Sequence, residues 1–366
     1  MTNKKRERAL DNKCPACSAP ILYDPSSGKW KCKYCDSEFT LEEMKKHNNA
    51  SNDVNNKKEE VVEKLVVDDN INYVTYSCKN CGAEIVADEE TASTFCVYCG
   101  NTAILKNKLS GKFAPDLIIP FKVEKQKAID AFKGLSKGRV FVPKSFTDPS
   151  NIEKITGVYI PFWLYDINVS GSLNADAKKI TTWTRGNTRY TKTDVYKVYR
   201  TGSMNYYRVP VDGSTRFAND IMNSIEPFNY EELEPYNHAY LSGFLSEKYN
   251  IDNEKSFEDA KNRALTSTRD KMFEDMGYYD SKTIVENTLA PNKKKVEYAL
   301  LPVWMVNVKY KEEFYLFAMN GQTGEFIGNI PLDKPKVVKY MILIFLIVLV
   351  VLSLASYIIY VLGGRI

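Results

Sequence analysis

The chain of 366 residues reads as a multidomain protein: two small β zinc ribbons, an α+β domain with a mainly antiparallel sheet, and one C-terminal transmembrane helix. Three observations predict this class. Eight cysteines fall into two copies of one spacing frame. A long central stretch mixes strand-like and helix-like patterning. An uncharged apolar run lies near the C-terminus. The expected divisions are a basic segment over 1–13, ribbon 1 over 14–40, a flexible linker over 41–77 and ribbon 2 over 78–106. An α+β domain over 113–333 and a transmembrane helix over 340–362 complete the set.

The start, MTNKKRERALDNK, has no apolar stretch of the kind a secretory signal needs, so export by that route is not expected. In the first frame, CPACSAPILYDPSSGKWKCKYC, Cys14, Cys17, Cys32 and Cys35 form two Cys-x-x-Cys pairs. In the second, CKNCGAEIVADEETASTFCVYC, Cys78, Cys81, Cys96 and Cys99 repeat them, with fourteen residues between pairs in both. Tyr34 and Tyr98 each precede the last cysteine, and Ile21-Leu22 matches Ile85-Val86. A Cys-x-x-Cys turn brings two sulfurs to one ion at about 2.3 Å, and two such turns on a small hairpin complete a tetrahedral S₄ site. Pro25-Ser26-Ser27-Gly28 supplies the turn chemistry. Four protein sulfurs leave no open position, which predicts two structural zinc sites rather than catalytic ones. Iron fits four sulfurs too, less well than zinc. Free or disulfide-bonded cysteines do not account for the doubled spacing.

Residues 41–77 are rich in Asn and charge, as a linker is, with a short helix expected near Lys57–Val67. His47 falls here and reads as solvated. The Lys29-Trp30-Lys31 stretch with Lys33 makes ribbon 1 mildly basic and marks a candidate partner-binding face. The alternative places Trp30 against its own hairpin. Ribbon 2 carries Glu84, Asp88, Glu89 and Glu90 against Lys79, a poor surface for phosphate. The formal charge of +4 falls to about zero once two zinc–tetrathiolate sites are counted, so net charge gives no sign of a nucleic-acid binder.

In the central domain Leu117–Val123 predicts a strand and Glu124–Leu135 a helix with Ala128, Ile129 and Phe132 on one face. From Tyr159 to Val169 the pattern has period two. Trp163, Tyr165, Ile167 and Val169 share one face, and Leu164, Asp166, Asn168 and Ser170 the other. Strand-like stretches continue to Tyr207. Ser256–Met276 predicts the best long helix, stopped by Gly277. Leu301-Pro302-Val303-Trp304 echoes Ile160-Pro161-Phe162-Trp163, which suggests a duplicated sheet element whose prolines suit strand starts or edges. Asn320-Gly321 signals a hairpin. No phosphate-binding loop, dinucleotide fingerprint or nucleophile elbow is present. His238, near Glu231, Glu232 and Glu234, reads as a structural histidine. The chain is expected not to be an enzyme.

From Tyr340 to Gly364 no residue is charged, and at 1.5 Å per residue the run spans roughly 35 Å, enough to cross a bilayer. Lys334, Lys336 and Lys339 precede it and Arg365 follows, so the positive-inside rule expects a single-pass cell-membrane protein with its N-terminal domains in the cytoplasm. A reducing cytoplasm also suits metal-bound thiolates. The span holds no Gly-x-x-x-Gly, and no helix dimer is inferred.

GVYIPFWLYD (157–166), EPFNYEELEPYNHAYLSGFLSEKYNID (226–252), YALLPVWMVNVKYK (298–311) and FAMNGQTGEFIG (317–328) resemble a family of bacterial TFIIB-type zinc-ribbon proteins. Some members are labelled PriA-like. The likeness covers about 78–330, and the double ribbon and membrane anchor are similar to the membrane-bound members of Gram-positive bacteria. The resemblance implies a role in holding PspA-like or SPFH-type envelope-stress proteins at the membrane, and it brings no catalytic residue. Two functions are therefore expected to compete. One is a tail-anchored adaptor recruiting soluble proteins to the bilayer. The other is a membrane-tethered nucleic-acid binder reading through Lys29, Trp30, Lys31 and Lys33.

Overall fold

The computed structural model describes residues 7–8, 12–54, 63–68, 71–77, 84–88, 91–95, 102–104, 113–135, 137–143, 155–216, 219–310, 313–328, 330 and 332–363. Strand β1 (Glu7–Arg8) opens the chain, and β2 (Ile21–Asp24), β3 (Lys29–Cys32) and β4 (Glu38–Phe39) form a three-stranded antiparallel ribbon. Helix α1 (Leu41–Val54) follows directly. Its N-terminus is a reciprocal cap. Thr40 N donates to Glu43 Oε2 at 2.7 Å, and Glu43 N donates to Thr40 Oγ1 at 3.4 Å. The Thr-x-x-Glu spelling is that of a capping box. β5 (Glu63–Asp68), β6 (Ile71–Ser77) and β7 (Glu84–Asp88) make a second small sheet with β1. The segment expected as a flexible linker is thus helix and strand over its described residues. Where a helix was expected near Lys57–Val67, the described part is β5.

Among the described residues the main sheet has eleven strands, ordered β13-β10-β16-β11-β14-β8-β9, with β12 and β15 also on β11, β17 on β16 and β18 on β17. Its strands are β8 (Thr91–Phe95), β9 (Thr102–Ile104), β10 (Leu117–Ile118), β11 (Thr156–Arg185), β12 (Thr188–Asp212), β13 (Glu234–Pro235) and β14 (Leu245–Glu247). β15 (Ser281–Asn287), β16 (Ala290–Tyr310), β17 (Glu313–Asn320) and β18 (Phe326–Gly328) complete it. Most pairings are antiparallel; β10–β16 and β11–β14 are parallel. Helices α2 (Lys125–Gly134), α3 (Asn219–Ser224) and α4 (Asn253–Glu274) accompany the sheet. Helix α4 starts where Asp252 accepts from Lys255 N at 3.0 Å, and Gly277 follows it at φ +87°.

The expected alternation along β11 holds. Trp163, Tyr165, Ile167 and Val169 enter the larger core with Phe121, Tyr159 and Trp304. Ile160, Phe162 and Leu164 enter a second core with Met222, Ile225 and Phe228. Both faces are covered, which explains the apolar run Tyr159–Tyr165. The period survives because the irregularities fall in its neighbours, where β12 and β16 each shift register opposite Tyr165–Ile167.

The two Pro-x-Trp strands are a true duplication. Pro161 lies between the residues of β11 paired to β14 and those paired to β12, and Pro302 between the residues of β16 paired to β10 and those paired to β17. The prolines therefore sit inside long strands, at the gap between successive partners, where a missing N–H breaks no ladder bond. Their carbonyls accept from Gly213 N (2.9 Å) and Gly321 N (2.8 Å). Gly213 O accepts from Asn250 and Ile251, and Gly321 O accepts from Lys122 and Val123. Trp163 Nε1 donates to Ile251 O and Trp304 Nε1 to Val123 O, both at 2.8 Å. Each half thus seats its tryptophan on the other half. The Asn320-Gly321 hairpin is present, but its left-handed residue is Gly324 (φ +81°). Gly321 serves a close approach, since a Cβ there would lie 2.6 Å from the Phe121 ring.

Helix α5 (Lys334–Gly363) is the last element. Its part from Lys334 to Ile358 is long and apolar enough to cross a membrane, and none of its apolar window is buried in the protein.

Candidate metal centre

Ribbon 1 builds its site from two matching turns. Cys14 N donates to Ala19 O and Ser18 N to Cys14 O, both at 2.8 Å. In the second turn Cys32 N donates to Ser37 O and Asp36 N to Cys32 O, both at 3.0 Å. Ser18 (φ +59°) and Asp36 (φ +55°) occupy the left-handed region at equivalent points. Non-glycine residues take that conformation at a cost, and such strain concentrates at functional sites. The hairpin β2–β3 presses the turns together. All four Sγ atoms lie within 4.8 Å of one another. Cys14 and Cys35 are 3.6 Å apart, as are Cys17 and Cys32. A tetrahedron with metal–sulfur bonds of about 2.3 Å has edges of about 3.8 Å, so the cluster can hold one ion.

The electrostatics fit that use. Burial raises the Cys14 thiol. The Ala19 N–H lowers Cys17, but desolvation and the neighbouring sulfurs outweigh it and push the thiol up to about 12. Hydrogen bonds from Ser37 bring Cys35 down to about 6. Without a cation, Cys35 ionises readily while Cys14 and Cys17 resist. A divalent ion removes that conflict.

The rest of ribbon 1 is attached rather than free. Trp30 is fully buried against Tyr23 and Tyr240, with ring centroids at 5.0 and 5.2 Å. Its Nε1 donates to Ala239 O at 2.8 Å. Tyr23 N donates to Ser242 O at 3.0 Å, and Asn12 Nδ2 donates to Ser242 Oγ and His238 O. Residues 238–244, a single turn of 3₁₀ helix (His238–Leu241) and its exit, thus form the seat of the ribbon. Trp30 leaves the expected partner-binding face and belongs to the interior. Lys29, Lys31 and Lys33 stay exposed, and Lys29 and Lys31 share Glu38 at 3.7 and 3.8 Å.

Cys78, Cys81, Cys96 and Cys99 lie outside the described residues. The sequence places Gly82 and Gly100 where ribbon 1 has Ser18 and Asp36. That signal for a left-handed residue after each pair was legible without a structure.

Fold and site define a class of protein: a Cys₄-clipped β ribbon seated on a duplicated sheet domain that carries one exposed apolar helix. No family model matches the chain, and no solved structure matches it. A protein of Bacillus subtilis (strain 168) named "Uncharacterized protein YdjG" is 32% identical over 316 residues, which cover 73% of this chain and 93% of that protein. The chain belongs to the YdjG family.

Proposed function

We propose that this protein is a non-enzymatic adaptor, held by α5 at the cytoplasmic face of the cell membrane, that concentrates soluble protein partners there. The observation that carries the reading is the apolar helix Lys334–Ile358, whose apolar window is not buried against the rest of the protein. Left in water, that surface is an aggregation hazard; in a bilayer it is an anchor. The closed S₄ cluster supports the reading, since an ion there has no free position for substrate. We assign zinc to it, held by Cys14, Cys17, Cys32 and Cys35, and a second zinc to Cys78, Cys81, Cys96 and Cys99. The resemblance to TFIIB-type zinc-ribbon proteins makes PspA-like or SPFH-type envelope-stress proteins the first partners to test. Nucleic-acid binding through ribbon 1 loses its stacking residue, because Trp30 is interior.

The test is purification of the full-length protein from membranes in mild detergent, with identification of soluble proteins that accompany it. Those proteins should leave the membrane fraction when 334–363 is deleted. If no soluble protein's location depends on that helix, the adaptor reading fails.

A further inference from the structure

The two sheet halves differ in the length of their hairpins. β17 returns along β16 only from Glu313 to Asn320, whereas β12 follows β11 from Thr188 to Asp212. The difference is a long hairpin arm. β15 pairs with β11 as far as Lys178, Ile180 N donates to the Asp280 carboxylate just beyond, and from there no further strand pairs with β11 or β12 among the described residues. The arm reaches Arg185, seven residues beyond Lys178, or about 23 Å at the rise of a strand. A two-stranded ribbon of this kind is marginal alone in water, and its unpaired edges are templates for another strand.

Its composition is selective. Lys178–Thr193 holds Lys178, Lys179, Arg185, Arg189 and Lys192 and no acidic residue. Asp194, just beyond, pairs with Lys192 at 3.1 Å. Trp183 and Tyr190 stack across the strands at 5.7 Å and remain 47% and 43% exposed. On the opposite face Ile180 and Val195 are 47% and 65% exposed.

We propose that the outer edge of β12 along this arm docks an extended acidic segment of a soluble protein, added as one further strand. The inference rests on the adaptor reading and names its partner chemistry. Main-chain hydrogen bonds to the unpaired edge would supply affinity, and alternating carboxylate and aliphatic side chains would supply selectivity. Carboxylates on one face meet Lys192 and, across β12, the long side chain of Lys179, and aliphatic groups on the other face lie toward Ile180 and Val195. A peptide uses both the open edge and the aliphatic face; a nucleic acid uses neither. Lipid headgroups are disfavoured by position. β18, from which the chain leaves for α5, lies level with Val306–Trp304 of β16 and so with the start of β11. The arm tip is at the far end of that thirty-residue strand.

The test uses the full-length protein in nanodiscs and a fluorescent octapeptide of alternating Glu and Val. The peptide should bind, more weakly as salt rises, and Lys179→Glu with Lys192→Glu should weaken it about tenfold, the scale of two exposed ion pairs. Both side chains are exposed, so metal content and melting temperature should not move. Absence of peptide binding overturns the proposal. Binding of a DNA duplex but not the peptide, lost in the same variant, overturns it in favour of a nucleic-acid arm. If soluble proteins follow α5 to the membrane but their recovery ignores the double variant, the arm proposal falls and the adaptor reading stands. If the peptide binds as stated while no soluble protein follows α5, the docking edge stands and the adaptor reading falls.

Discussion

Trp30 shows how far one residue can be misread from its neighbours. Between two lysines it looks like a stacking group on a basic strand, yet it is 0% exposed and bonded to Ala239, 209 positions away. The β3 pattern exposed–buried–exposed–buried would have placed it inward with Cys32, but what covers it is non-local. Trp30→Ala should therefore cost about 3–5 kcal/mol in denaturant titrations followed by circular dichroism. Metal content should stay unchanged, because the ligands remain. Cys14→Ser with Cys17→Ser should do the reverse to the ion, lowering metal content by about one ion per chain in elemental analysis. Asp212 gives a pH test. Its Oδ1 accepts from Ser214 N at 2.9 Å, and its Oδ2 has no protein partner. Burial, with Glu247 adding to it, raises the carboxyl to about 7. The folded state therefore holds the proton more tightly than the unfolded chain. Stability from this group is complete below about pH 4, the unfolded value, and is lost as pH rises through about 7. Asp212→Asn should raise the melting temperature at pH 8 and flatten its fall between about pH 4 and 7. An unchanged slope would count against the assignment.

At the scale of elements, local signals were the legible ones. The Cys-x-x-Cys turns, the period of β11, the stop of α4 at Gly277 and the hairpin at Asn320 are each written within a few residues of where they act. Helix α1 was also spelled out, by Thr40-Leu41-Glu42-Glu43, but the Asn-rich run after it masked the cap. Thr40→Ala should destabilise this helix by about 1 kcal/mol, read as lost helical signal on heating. What could not be read is partnership. The prolines of β11 and β16 looked like edge residues because their strands' neighbours change midway, a fact of register rather than of spelling. The arm was seen only as strand-like stretches to Tyr207, since the exposure of its β11 edge depends on where β15 ends.

For the whole molecule, the double Pro-x-Trp motif forecast the plan best. It marks an internal twofold in which each half completes the other's tryptophan seat, so neither half is expected to fold alone. A fragment ending at Asp212 should lack cooperative melting. At this scale α5, long and apolar enough to cross a membrane, is the element to test for location. Deleting 334–363 should move the protein from the membrane to the soluble fraction on centrifugation, while Lys334→Gln, Lys336→Gln and Lys339→Gln together should weaken the orientation bias, read by protease access in sealed vesicles. The seat of ribbon 1 on residues 238–244 also sets a timetable. On the ribosome the ribbon emerges early, but Ala239 follows Trp30 by 209 residues. At synthesis rates of about 5–20 residues per second, the indole waits about 10–40 s for its cover. During that interval the nascent ribbon exposes its aromatic face, and an ion held by its four cysteines would keep the hairpin in shape until the seat arrives.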